Sequence, residues 1–208
     1  MPLPKITIVD YGMGNIWSVI SALRYIGCEP TVSSDPDEIL HASAILLPGV
    51  GSFKRAMHAL QSKKIDIAIS EAVQIKKTKI LGICLGMQLM ADIGYEDGET
   101  LGLGLIPSSV EAFNSIEIGL NKIPHVGFNQ VVTNKQGDLF SQLPEISDFY
   151  FVHSYRMAGG HLPGNQSFCH YGVNFLAAYE DGNICATQFH PEKSQTNGLI
   201  LLQNFIKI

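Results

Sequence analysis

The run KILGICLGMQLMAD, residues 79–92, sets the architecture of the chain. Lys79 to Ile83 is a short apolar strand, the chain turns through Gly82-x-Cys84-x-Gly86, and Leu85 to Asp92 continues as a helix. A strand passing straight into a helix is the repeating unit of a parallel sheet with helices on its faces. A cysteine on such a turn stands at the carboxyl edge of the sheet, as the nucleophile does in a Gly-x-Ser-x-Gly elbow. The glycines remove the Cβ clashes that so sharp a turn creates. The helix N-terminus offers positive potential and free N–H groups, which favour a thiolate and can hold an oxyanion. Core filling asks for none of this, so Cys84 reads as a nucleophile.

Outward from this unit, the first half of the chain alternates strand and helix. KITIVD is a β-branched strand that breaks at Tyr11–Gly12–Met13–Gly14, after which Asn15 can cap a helix to about Tyr25. Glu29 to Ser33 and Ala44 to Leu47 read as further strands, with a brief helix opened by SSDPDEIL between them. Helices are expected over Phe53 to Gln61 and Ile65 to Lys76. The second half is β-rich, with strands at 104–113, 125–133, 147–153, 166–171, 175–180 and 184–189 and a turn at Asp181–Gly182–Asn183. A last helix, Thr196 to Ile206, puts Leu199, Leu202, Phe205 and Ile206 on one apolar face. With no repeat, low-complexity tract or linker, residues 1–208 read as one α/β domain.

Bulk properties narrow the function. Apolar residues make up 46% and charged residues 16%, the balance of a soluble globular chain. A net charge of −5 gives no basic footprint for nucleic acid or an anionic membrane, and no apolar run is long enough to span a bilayer. The N-terminus opens directly into a strand pattern, which predicts no signal peptide. The four cysteines, at 28, 84, 169 and 185, form no CxxC pair and no disulfide spacing, so the expected compartment is the reducing cytoplasm. Cys28, Cys169 and Cys185 read as core filler. The glycine turn at 12–14 lacks the third glycine of a dinucleotide fingerprint, having Trp17 there, and no Cys or His pair has zinc spacing. Neither cofactor nor metal is expected.

A thiol nucleophile needs a base and a group to orient it. Of seven histidines, His190 stands apart, at the end of a strand and followed by Pro191–Glu192. Sites of parallel sheets gather at strand ends, so His190 can meet Cys84, with Glu192 accepting the second imidazole N–H. The glycines of LPGVGS, 47–52, leave backbone N–H groups free to complete an oxyanion hole. The triad alone leaves a thiol peptidase or γ-glutamyl hydrolase open.

GICLGMQ together with FHPEKS resembles the class I (triad) glutamine amidotransferases. VDYGMGN at 9–15, LPGVGSF at 47–53, FYFVHSY at 149–155 and QFHPEKSQTNGL at 188–199 narrow the resemblance to the glutaminase subunits of imidazole glycerol phosphate synthase. It runs from residue 5 to 206 in the family's order. The resemblance implies a flavodoxin-like fold, a mostly parallel central sheet with helices on both faces, and hydrolysis of L-glutamine without a cofactor. Cys84, His190 and Glu192 would be the triad, and Gly51 and Leu85 would hold the oxyanion through their backbone N–H groups. Gln88 and Glu96 would recognise the α-carbon groups of glutamine, and Ser154 and Tyr155 its carboxylate. The ammonia would pass to a (β/α)8 barrel cyclase, with Asn15, His125, Phe128 and Lys193 on that interface and activity switched on by the barrel's nucleotide ligand. One departure stands out: Val126 and Phe128 replace the usual Met and Trp of that loop. This keeps open a paralogue serving a related barrel that aminates a surface-polysaccharide sugar.

Overall fold

Successive side chains of strand β3 (Ala44–Gly49) enter different cores, Ala44 and Leu46 on one face and Ile45 and Leu47 on the other. A strand covered on both faces is what a parallel sheet requires, and its run is accordingly apolar throughout. The computed structural model describes residues 5–133, 137–157 and 159–207. Its first half follows the alternation: β1 (Ile6–Val9), α1 (Ile16–Tyr25), β2 (Thr31–Ser33), α2 (Pro36–Leu40), then β3. There follow α3 (Phe53–Ser62), α4 (Ile65–Ser70), β4 (Lys79–Cys84) and α5 (Leu85–Leu89). Next come β5 (Ala91–Gly94), β6 (Thr100–Leu101), β7 (Ile106–Ala112), α6 (Ser115–Ile118), β8 (His125–Val132) and β9 (Ile146–His153). The chain closes with β10 (Tyr155–Met157), β11 (Asn165–Tyr171), β12 (Val173–Asp181), β13 (Ile184–Thr187) and α7 (Gln195–Lys207).

The main sheet has nine strands in the order β2-β1-β3-β4-β13-β12-β11-β8-β9. From β2 to β13 all pairings are parallel, and from β13 to β9 all are antiparallel. The β12–β13 hairpin turns at Asp181–Gly182–Asn183, with Gly182 at φ +56°. It delivers β13 parallel to β4, so Thr187 lies opposite Ile83 and residues 188–190 run on beside Cys84. Buried residues of α1 and α7 pack on one face of the sheet, and those of α3 and α4 on the other.

Several sequence expectations are corrected. The helix after Cys84 stops at Leu89 rather than Asp92. Its closing carbonyls are taken by another segment: Leu89 O accepts from Leu103 N, and Met90 O from Leu105 N and Ile106 N. Asp92 therefore falls in β5, part of a second sheet of order β10-β7-β5-β6 that local pattern did not disclose. The expected helix Ile65–Lys76 changes to a π turn over Glu71–Ile75. Asn15 occupies the N-cap of α1, yet its side chain makes no capping bond, and β2 begins at Thr31 rather than Glu29.

Candidate active site

Cys84 sits at φ +54°, ψ −111°, a strained state for an L side chain. Close packing on both sides holds it there. A Cβ at Gly86 would strike the Leu47 carbonyl, and one at Gly82 would come within 2.9 Å of the Gly86 backbone. The glycines therefore let α5 settle against β3 as well as turning the chain. The thiol is 3.8 Å from Val152 O and 3.7 Å from the donating Nε2 of Gln188, a residue with no exposed surface.

His190 follows β13 and leads into a 3-10 turn, Pro191–Lys193, which brings Glu192 back beside it. Glu192 Oε1 is 2.8 Å from His190 Nδ1, with the two side chains 1% and 3% exposed. Nε2, the other ring nitrogen, is buried without a hydrogen-bond partner among the described residues. Burial opposes a charge on this imidazole. The neighbouring Cys84, and the charge and hydrogen bond of Glu192 behind the ring, outweigh burial and raise the pKa to about 10. His190 is thus an imidazolium at neutral pH, on the cavity wall with Cys84.

A cavity of about 370 Å³ opens over the thiol, large enough for an amino acid. Gly51 (φ +110°) and Leu85, the first residue of α5, stand on its wall beside Cys84. Glu96 is also on the wall. Its Oε2 accepts from Phe53 N at 2.7 Å, and burial raises its pKa, against that bond. Gln88 donates through Nε2 to both Tyr155 O and Gln188 Oε1, each at 2.9 Å, leaving its own carbonyl oxygen for a ligand. Ser154 and Tyr155 complete the far side.

The class I glutamine amidotransferase family model matches residues 7–208. The chain belongs to that family. Within it, the chain is 45% identical over 205 residues to imidazole glycerol phosphate synthase subunit HisH 1 of Parasynechococcus marenigrum, covering 98% of each chain. It is 44% identical to HisH 1 of Campylobacter jejuni strain RM1221, covering 98% of this chain and all of the relative. Among solved structures, PurLQS from Thermotoga maritima superposes with a TM-score of 0.72 at 18% identity, covering 99% of each chain. A crystal structure titled glutamine amidotransferase does so at 0.72 and 17%, covering 97% of each. At such identities these two show the fold, and it is the amidotransferase α/β fold expected.

Of the residues singled out in the sequence, Gly51, Cys84, Leu85 and Gln88 line one cavity with Glu96, Ser154, Tyr155 and His190. Glu192 stands behind His190 rather than in the wall. On the outer surface Phe128 is half exposed and packs edge-on to Tyr150 at 5.6 Å, while Lys193 Nζ lies 5.8 Å from that same ring. Asn15 is partly exposed at the head of α1. His125 does not join them. Its ring turns inward, 2% exposed, because in β8 it is in phase with buried Val131 while Val126 and Phe128 point out. Sequence reasoning missed Val152, His153 and Gln188. Alternation along β9, with Phe149, Phe151 and His153 on one face, was the signal for the histidine.

As the four free cysteines are all buried, exposure does not separate Cys84 from the rest. Surroundings do. Burial pushes Cys169 and Cys185 up to about 12, and among the described residues no bonded histidine–carboxylate pair stands beside either one. Among the described residues, no helix is long and apolar enough to cross a membrane.

Proposed function

We propose that the chain hydrolyses L-glutamine to glutamate and ammonia, as the glutaminase subunit of an imidazole glycerol phosphate synthase in histidine biosynthesis. The observation that carries this reading is the Glu192–His190 pair, buried and bonded at 2.8 Å, beside a cysteine on a strained elbow at the floor of an amino-acid-sized cavity. The Cys84 thiolate attacks the side-chain carboxamide carbon, and the N–H groups of Gly51 and Leu85 hold the resulting oxyanion. The His190 imidazolium gives its proton to the leaving nitrogen, so ammonia departs and a γ-glutamyl thioester remains. His190, now neutral, takes a proton from water as that water attacks the thioester, releasing glutamate and restoring the pair. Glu192 keeps the ring oriented and stabilises its charge. Glu96 receives the substrate ammonium, and the Ser154–Tyr155 turn its carboxylate.

The cavity wall includes Val50 and Val152, both partly exposed, and the neighbouring outer face of β8–β9 carries Val126 and Phe128. An apolar patch at the mouth of a site suits a partner that covers it, and a (β/α)8 barrel cyclase receiving the ammonia fits the HisH relatives. Lys193, beside Tyr150, would anchor that partner by an ion pair. Glutamate release by the purified chain, alone and with a histidine-pathway cyclase carrying its nucleotide ligand, tests both parts. Stimulation of tenfold or more, about 1.4 kcal/mol of coupling, is expected. Activity that ignores the loaded cyclase would direct the ammonia to a different synthase, the sugar-aminating paralogue that Phe128 leaves open.

A further inference from the structure

The register of β8 on β9 sets His125 directly opposite His153, and the two rings meet at 3.1 Å through His125 Nδ1 and His153 Nε2. The direction of that bond follows from its ends. His153 Nδ1 lies 2.8 Å from Tyr155 O, and a carbonyl oxygen only accepts, so the His153 proton is on Nδ1. Its Nε2 must then accept, which puts the His125 proton on Nδ1 as well. At the far end, Asn129 Nδ2 donates to His125 Nε2 at 3.3 Å. The Asn129 amide is itself oriented, giving Nδ2–H to His170 O at 3.2 Å and taking Gln130 N on Oδ1 at 2.8 Å. Every bond from β8 to the cavity therefore runs one way. We infer that His125 and His153 form a one-directional hydrogen-bond relay from strand β8 that positions the Ser154–Tyr155 turn for glutamine.

Both rings are neutral at pH 7, because burial depresses His125 to about 4 and His153 to about 3. A charged ring at either position would set donor against donor. Stacking holds His125 in line, between Tyr171 at 3.9 Å and Phe151 at 4.8 Å. At the cavity, Tyr155 O takes two donors, His153 Nδ1 and Gln88 Nε2, while Ser154 O takes Phe113 N at 3.0 Å. With both carbonyls pinned, the turn presents a fixed surface to the substrate. Without the His125 donor, His153 is free to move its proton to Nε2 and release Tyr155 O. Both histidines are positioning residues, and the inference rests on the cavity being the glutamine site.

His125→Phe keeps the ring and its stacking but removes the donor, whereas His125→Asn keeps an N–H close to the position of Nδ1. Steady-state glutaminase kinetics should show the KM for glutamine raised about tenfold in H125F, with kcat within about threefold, and most of that loss restored in H125N. An unchanged KM in H125F, or equal damage in both variants, would overturn the inference. Ring-nitrogen NMR of the wild-type chain supplies a readout independent of activity and of variant folding. Both rings should be neutral with the proton on Nδ1; an Nε2–H tautomer at either would equally refute the relay. A wild-type chain that releases no glutamate even with the loaded cyclase removes the glutaminase reading, and the ring-nitrogen spectrum then decides the relay.

Discussion

Burial pulls the charge off His190 while Cys84 and Glu192 hold it on, and the partners win. The consequence is measurable. NMR should find the His190 ring still an imidazolium at pH 8, losing its proton only near 10, and Glu192→Gln should bring that pKa down. A folded pKa above the unfolded value of about 6.5 stabilises the fold fully below 6.5. That contribution shrinks as pH rises and is gone above about 10, so thermal stability should decline on the alkaline side. In kinetics, Glu192→Gln should cost less than His190→Ala, since orientation is weakened while the base remains. The reverse order would contradict these roles. Cys84 and His190 were legible because each stands at or just past a strand end within a short pattern, and Glu192 because it follows His190 by two residues across a proline. His153 was not, since its meaning depends on β8 lying against it in one register. His125 was placed on the interface by the resemblance alone, which does not resolve that its phase in β8 faces inward.

Between elements, the contact of α5 with β3 is the tightest constraint around Cys84. Gly86 has the Leu47 carbonyl where a Cβ would be, so Gly86→Ala must push the elbow away from the sheet. This should destabilise the protein by about 2 kcal/mol or more and lower activity beyond what the stability loss explains. A variant with native melting temperature and turnover would show that the approach is not needed. The strand–helix alternation up to β4 was legible because each unit closes within its own stretch of chain. The end of α5 was not. Leu89 and Met90 are good helix formers, and what stops the helix is a set of N–H groups more than ten residues away.

For the molecule as a whole, strand order joins a parallel half to an antiparallel half at β13, and the site lies at that join. The nine-strand order and the small second sheet are long-range facts to which no local periodicity points. On the outer face, Val126 and Phe128 are about half exposed beside the mouth of the cavity. If the proposed barrel docks on this face, Phe128→Asp should weaken that complex at least tenfold, by loss of apolar contact and burial of an unpaired charge. Undiminished binding, read by titration calorimetry, would move the partner surface elsewhere.

The central claim is covalent chemistry at Cys84, and acid-quenched turnover followed by peptide mass spectrometry tests it most directly. With glutamine as substrate, a γ-glutamyl thioester should appear on the peptide holding Cys84, not on those holding Cys28, Cys169 or Cys185, and Cys84→Ser should release no glutamate. Glutamate release surviving in Cys84→Ser, or an adduct on another cysteine, would contradict the account.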